Sequence, residues 1–174
     1  MSAIKMLLME LDHEARATRR VLERVPADRL NYRPHEKSLT LGQLALHVAT
    51  VPGTIAQLSR LSPVQVRDFK YDAAQTAAEL VPALEQSVAK AHDILGGLDD
   101  ASLGESWRLV DGPREVMAQP VGIMLRALML NHWYHHRGQL CVYLRQVGVP
   151  VPSVYGPSAD ENPFAAAREM AAAV

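Results

Sequence analysis

Between Pro120 and Val147 the chain reads as one long helix, and in its middle stands NHWYHHRGQL, residues 131–140, with three histidines in an otherwise apolar stretch. Nothing else in the sequence restricts the fold as strongly. Imidazole nitrogens that enter a core must find hydrogen-bond partners or a cation, because an unpaired buried polar group costs free energy. Pro120 suits the first helical position and Gly148 suits the position just past the last.

At about 100° per residue, His132 and His136 lie roughly 40° apart on the helix surface, one turn above the other. Both belong to the stripe Met129, His132, His136, Leu140 and Tyr143, which the apolar pattern turns inward, while His135 falls one residue off it. Two imidazoles at i and i+4 on such a face can grip one metal ion. They can also be hydrogen-bonded core residues, and spacing alone leaves both readings open. A third ligand must come from elsewhere. His13 sits among charged residues, His35 is in a loop beside Pro34, and His92 adjoins Lys90 and Asp93. Only His47, in LGQLALHVATV, lies within an apolar helical stripe.

Three further helices complete the pattern. Helix 1 is expected from about Ala3 to Val25, with Ile4, Leu7, Leu8, Leu11, Ala15, Thr18 and Leu22 on one face and Pro26 as its stop. Helix 2 starts near Ser38 or Thr40 and continues towards Leu61, with a kink expected at Pro52 and Gly53. Helix 3 is announced by the capping-box spacing Thr76 to Glu79 and ends at Gly96 and Gly97, with Pro82 in its first turns. Before helix 4, WRLVDGPREVM places Asp111–Gly112 between two partly alternating runs, which suggests a small hairpin; an irregular loop is the alternative. A short helix capped by Asn162 is expected from Phe164. No linker divides the chain, so residues 1–174 read as one domain. Four amphipathic or buried helices make an all-α four-helix bundle the natural architecture, with the long connections leaving its topology open.

Composition excludes several classes. A net charge of −1 without a Lys/Arg cluster argues against nucleic acid as a partner. The single cysteine, Cys141, rules out an intramolecular disulfide or a multi-cysteine zinc site, and it stands about 140° from His136, a poor place for a fourth ligand. The oiliest run, Val121 to Leu130, is broken by Arg126 and falls short of the roughly 20 apolar residues that span a bilayer. The N-terminus has no cleavage site of signal-peptide type. A cytoplasmic protein with a small-molecule partner is expected. Met124, Leu128, Trp133 and Tyr134 surround more than one face of helix 4, which suggests a homodimer.

The segment HWYHHRGQL, followed by LRQVGVPVP, resembles the final-helix signature of the DinB/YfiT-like superfamily, H-x-x-x-H-R-G-Q, which residues 132–139 fit throughout. NYRPHEKSLTLGQLALHVATV is similar to the same family's helix-2 segment. The resemblance implies a four-helix bundle with a crossover connection, frequent homodimers, and a divalent metal held by His47, His132 and His136. His135 would then be a neighbour of the ligands. Gln139 could hydrogen-bond a free imidazole N–H, Arg137 could anchor an acidic partner, and Gly138 offers close helix approach.

Three ligands with no convincing fourth match an open, catalytic type of site. Imidazole suits zinc, nickel and iron alike, so the metal is left open. Family members of this kind include S-transferases that use a low-molecular-weight thiol, and the resemblance implies such a thiol-dependent transferase acting on a small electrophile. The alternatives are a metal-dependent hydrolase and a metal- or ligand-binding dimer without turnover. Asp12, Glu14 and Glu10 on helix 1 are the candidates by chemistry for a general base.

Overall fold

The Ser2 hydroxyl accepts from the Lys5 N–H and opens α1, Ala3–Leu22, in a computed structural model that describes residues 2–69 and 71–165. The helix stops three residues before the expected Val25, because the residue preceding Pro26 is pushed out of the helical region. Thr40 and Gln43 form a full capping box at the start of α2, Leu41–Ser59. A single 3-10 turn, Ala77–Glu79, leads into α3, Leu80–Gly96, and puts Pro82 in the first turn, where its missing N–H has no helical acceptor to lose. The Gly96–Gly97 stop falls where the sequence places it.

The last helix, α4, is composite. It comprises α-helical Val121–Met124, π-helical Leu125–Asn131 and α-helical His132–Gln146 in direct succession. The π segment shifts the register of the buried face. Trp133, Arg137, Leu140 and Leu144 are buried downstream; an unbroken α-helix would carry that line back through Arg126 and Ile123. Those two are exposed, and Val121, Met124 and Leu125 are buried in their stead.

Directions follow from the pairs in contact. Arg126 reaches Glu10 and Arg137 reaches Glu14 and Thr18, so α1 and α4 run the same way. Gly53 meets Ser87 and Gln57 meets Lys90, so α2 and α3 also run the same way. Asp12 opposes His92 and Arg19 opposes Glu85, which sets α1 against α3. The link between α2 and α3 therefore returns along the length of the helices.

The chain is mostly helical but not all-α. A three-stranded sheet of β1, Val64–Gln65, β2, Ser106–Asp111, and β3, Arg114–Pro120, runs in the order β1-β2-β3, parallel then antiparallel. The β2–β3 hairpin is the one the sequence suggests, and its turn opens on Gly112 at φ +56°, a conformation that favours glycine. Strand β1 has no such signal, being two residues in a loop. Trp107 of β2 is buried and donates its indole N–H to the Leu58 carbonyl, which fixes the sheet to the end of α2.

The core joins Leu11 and Leu22 of α1, Leu44 and Val48 of α2, Leu80 and Leu95 of α3, and Met124, Met129 and Trp133 of α4. Met124 and Trp133 are thus inside this chain and supply no surface for a second copy, contrary to the expectation from the breadth of the apolar face. Asn162 does cap the backbone N–H of Phe164, but the short helix expected from there lies almost wholly outside the described residues. No helix among the described residues is long and apolar enough to cross a membrane.

Candidate metal centre

His47 lies on the second turn of α2, and His132 and His136 lie one turn apart on α4, just past the π segment. Their ligating nitrogens all fall within 4.8 Å of one another. The Nε2 atoms of His47 and His132 are 2.9 Å apart, with the two rings perpendicular. The His136 ring is nearly perpendicular to both, its centroid 4.6 Å from that of His47 and 4.3 Å from that of His132. All three side chains are half-buried, so they border the core; the fully buried line passes through Trp133 and Arg137, one residue further round.

Burial, followed by the mutual repulsion of the imidazolium forms, pushes His47 from its ordinary 6.5 down to about 3. The same causes, with His136 and His135 as the neighbours, bring His132 down to about 4. His136 is lowered by burial, against a hydrogen bond that works the other way. The rings are therefore neutral near pH 7, the form a metal requires.

That opposing bond joins His136 Nδ1 to Gln139 Oε1 at 2.7 Å. A carboxamide oxygen only accepts, so Nδ1 carries the proton and Nε2 keeps its lone pair for a cation. Two Nε2 atoms 2.9 Å apart on neutral rings, and a third imidazole held in the matching tautomer, fit a divalent transition metal by the chemistry of the donor set. His135 is exposed beside His136 and outside the cluster.

Trp133 holds the two helices together at this level. Its indole N–H donates to the Val48 carbonyl at 2.7 Å, one residue beyond a histidine on each helix. Gly53 is needed for a second close approach. A Cβ there would meet the Ser87 carbonyl oxygen at 2.7 Å, and the Ser87 hydroxyl accepts from Gly53 N–H while donating to the Thr50 carbonyl.

A cavity of about 230 Å³ opens beside His47 and His132. Thr50, Val51, Thr54, Ile55 and Leu58 of α2 form one wall. Leu109 and Met117, cross-strand partners in the hairpin, form the opposite wall, and Leu128 of the π segment lines it near the histidines. Asp68, Phe69 and Tyr71 reach in from the α2–α3 link, with the Tyr71 ring 4.9 Å from that of His47. No sequence signal picks out these three residues, because a loop has no period to betray which side chains face inward.

The acids of α1 are engaged elsewhere. Glu14 is buried and accepts from Arg137 Nη2 at 2.6 Å and from the Tyr155 hydroxyl at 2.8 Å. The guanidinium also reaches Thr18 Oγ1 and the Glu14 carbonyl, and lies over the rings of Tyr134 and Tyr155. Glu10 accepts from Tyr134 and Arg126, and Asp12 from His92. None of the three belongs to the histidine cluster or lines the cavity beside it. Arg137 does anchor an acidic partner, as the sequence allows. Gly138 faces open space, so close helix approach is not its role. Cys141 is half-buried with its thiol pushed up by burial, and it too is outside the cluster.

The family model described as DinB family matches residues 1–169. The uncharacterised protein YrdA of Bacillus subtilis (strain 168) is 28% identical over 158 residues, covering 88% of this chain and 89% of the relative. A DinB-like protein of Bacillus cereus ATCC 10987 has a crystal structure that superposes with a TM-score of 0.69 at 25% identity, over 86% of this chain and 95% of the other. The DinB-like protein YjoA of Bacillus subtilis superposes at 0.62 with 21% identity, over 83% and 95%.

Proposed function

This chain belongs to the DinB family, and from that premise we propose that it is a metal-dependent enzyme that joins the sulfur of a low-molecular-weight thiol to a small electrophile. The observation that carries the reading is the meeting of three neutral imidazoles from two helices, beside a cavity that reaches two of them. His47, His132 and His136 would hold one divalent ion such as zinc, nickel or iron, and leave a position free for a ligand. Once bound, the ion would supply a Lewis acid that lowers the pKa of a thiol. Gln139 keeps the His136 lone pair directed at it, and the cavity walls keep water from the electrophile. We extend the reading to a homodimer, supported by the exposed Met6, Met9 and Ile123 on the paired helices α1 and α4.

A hydrolase is the second reading. It is favoured by Asp68, a carboxylate lining the same cavity and able to take a proton from water. The two separate in one experiment on protein loaded with cobalt or nickel. Addition of bacillithiol, mycothiol or glutathione should produce a sulfur-to-metal charge-transfer band that the oxygen analogues do not give. A panel of electrophiles should then consume thiol in the wild type and not in His132→Ala. No band with any thiol, together with metal-dependent ester or amide cleavage lost in Asp68→Asn, would sink the transferase and promote the hydrolase.

A further inference from the structure

The cavity beside His47 and His132 is built for a particular shape and polarity of substrate. Its volume is about 230 Å³. Cavities of roughly 150 Å³ lined by aliphatic and aromatic side chains hold benzene. Space of the present size therefore admits one ring with a short substituent, or a branched acyl chain of similar bulk. Two walls are aliphatic by design of the fold. On α2, Val51, Ile55 and Leu58 follow one another at helical spacing along the side facing the hairpin. On the hairpin, Leu109 and Met117 are direct cross-strand partners, and a register irregularity comes next at Leu109/Val110. Leu128, carried by the π segment, closes the end next to the histidines.

We propose that this cavity takes the apolar body of the substrate, one aromatic ring or a compact branched chain in size, and presents its reacting heteroatom to the His47–His132 side of the cluster. The inference rests on the metal-centre reading above and adds to it the class of molecule that the centre serves. Leu109 and Met117 are specificity-determining residues under this proposal. They touch the substrate's body from an element that contributes no ligand to the cluster, so they can be changed without disturbing it.

Hydroxamates test this, because one end chelates a metal while the other end can be varied. Calorimetry on zinc-loaded protein should show benzohydroxamate binding about tenfold or more tightly than acetohydroxamate, with a more negative heat-capacity change. Met117→Glu places a charge on a partly exposed hairpin position and should erase that preference. Zinc content and melting temperature should stay as in the wild type. Equal affinities for the two hydroxamates in the wild type would overturn the cavity assignment and leave the metal centre standing. Should neither hydroxamate bind, the metal-centre reading falls, and NMR of the protein saturated with benzene still decides the cavity. Shifts confined to the methyl groups of Val51, Leu109, Met117 and Leu128 uphold it, and unshifted methyl groups refute it.

Discussion

The indole N–H of Trp133 donates to the carbonyl oxygen of Val48, the one carbonyl in α2 that Pro52 deprives of its helical partner. Each of the two residues directly follows a histidine of the cluster, His132 and His47. Pro52 thus creates an acceptor where α4 needs a fixed point of attachment. Trp133→Phe should leave that buried carbonyl without a partner, at a cost of about 1–3 kcal/mol. Adding Pro52→Ala gives the carbonyl a backbone donor again and should recover part of the stability. Denaturant titration of the two variants checks this; no recovery in the double variant would show that the ring's packing, not its N–H, is what matters.

Each of His47→Ala, His132→Ala and His136→Ala should abolish metal binding, and His135→Ala should retain it. Elemental analysis of protein purified without chelator is the measurement. Equal loss in the His135 variant would reassign the ligands.

Gln139→Leu should weaken metal affinity by about 10–100-fold without changing which metal binds, because it frees the His136 ring to take the wrong tautomer. Competition against a zinc-sensitive dye reads the difference. An unchanged affinity would mean that the backbone alone orients the ring.

Acid should destabilise the metal-free protein in a defined window. His47 and His132 titrate at about 3 and about 4 when folded and near 6.5 when unfolded. Between these values the unfolded chain holds more protons, so stability is complete above 6.5 and falls as the pH drops through the window. Urea midpoints at pH 7.5, 6 and 5 should decline in that order, and less steeply in His47→Gln. A flat series would place these rings in water.

Glu14→Ala should be far more damaging than loss of a surface acid, because it strands the buried Arg137 guanidinium; about 3–5 kcal/mol is expected. Replacing both members, as Glu14→Leu with Arg137→Met, should recover much of this. A thermal melt showing the double variant no better than the single one would contradict the account.

Helical spacing made His132 and His136 legible as a pair, and the apolar stripe of α2 singled out His47. Thr40, Thr76 and Gly96–Gly97 marked helix ends by capping chemistry, and Asp111–Gly112 marked the hairpin. Other features have no local signature. The buried Glu14 looks like any acid on an amphipathic helix, because its partner lies on α4, far along the chain. Asp68 and Tyr71 occupy a loop whose path is set by tertiary contacts. The breadth of the apolar face on helix 4 suggests a second surface because a straight α-helix is assumed, and the π segment invalidates that assumption.

The π segment also determines which kinds of genetic change the centre tolerates. A π turn is an α-helix that carries one residue too many, so Leu125–Asn131 can lose a codon and close into uniform winding. His132 and His136 would still face His47 after that loss. Gain of a codon is different, because a residue the turn cannot absorb rotates the downstream helix by about 100°. Both histidines would then turn away from His47 with every ligand still encoded. For this chain, the residue count between Met124 and His132 is as much a part of the site as its histidines, and it has slack in one direction only.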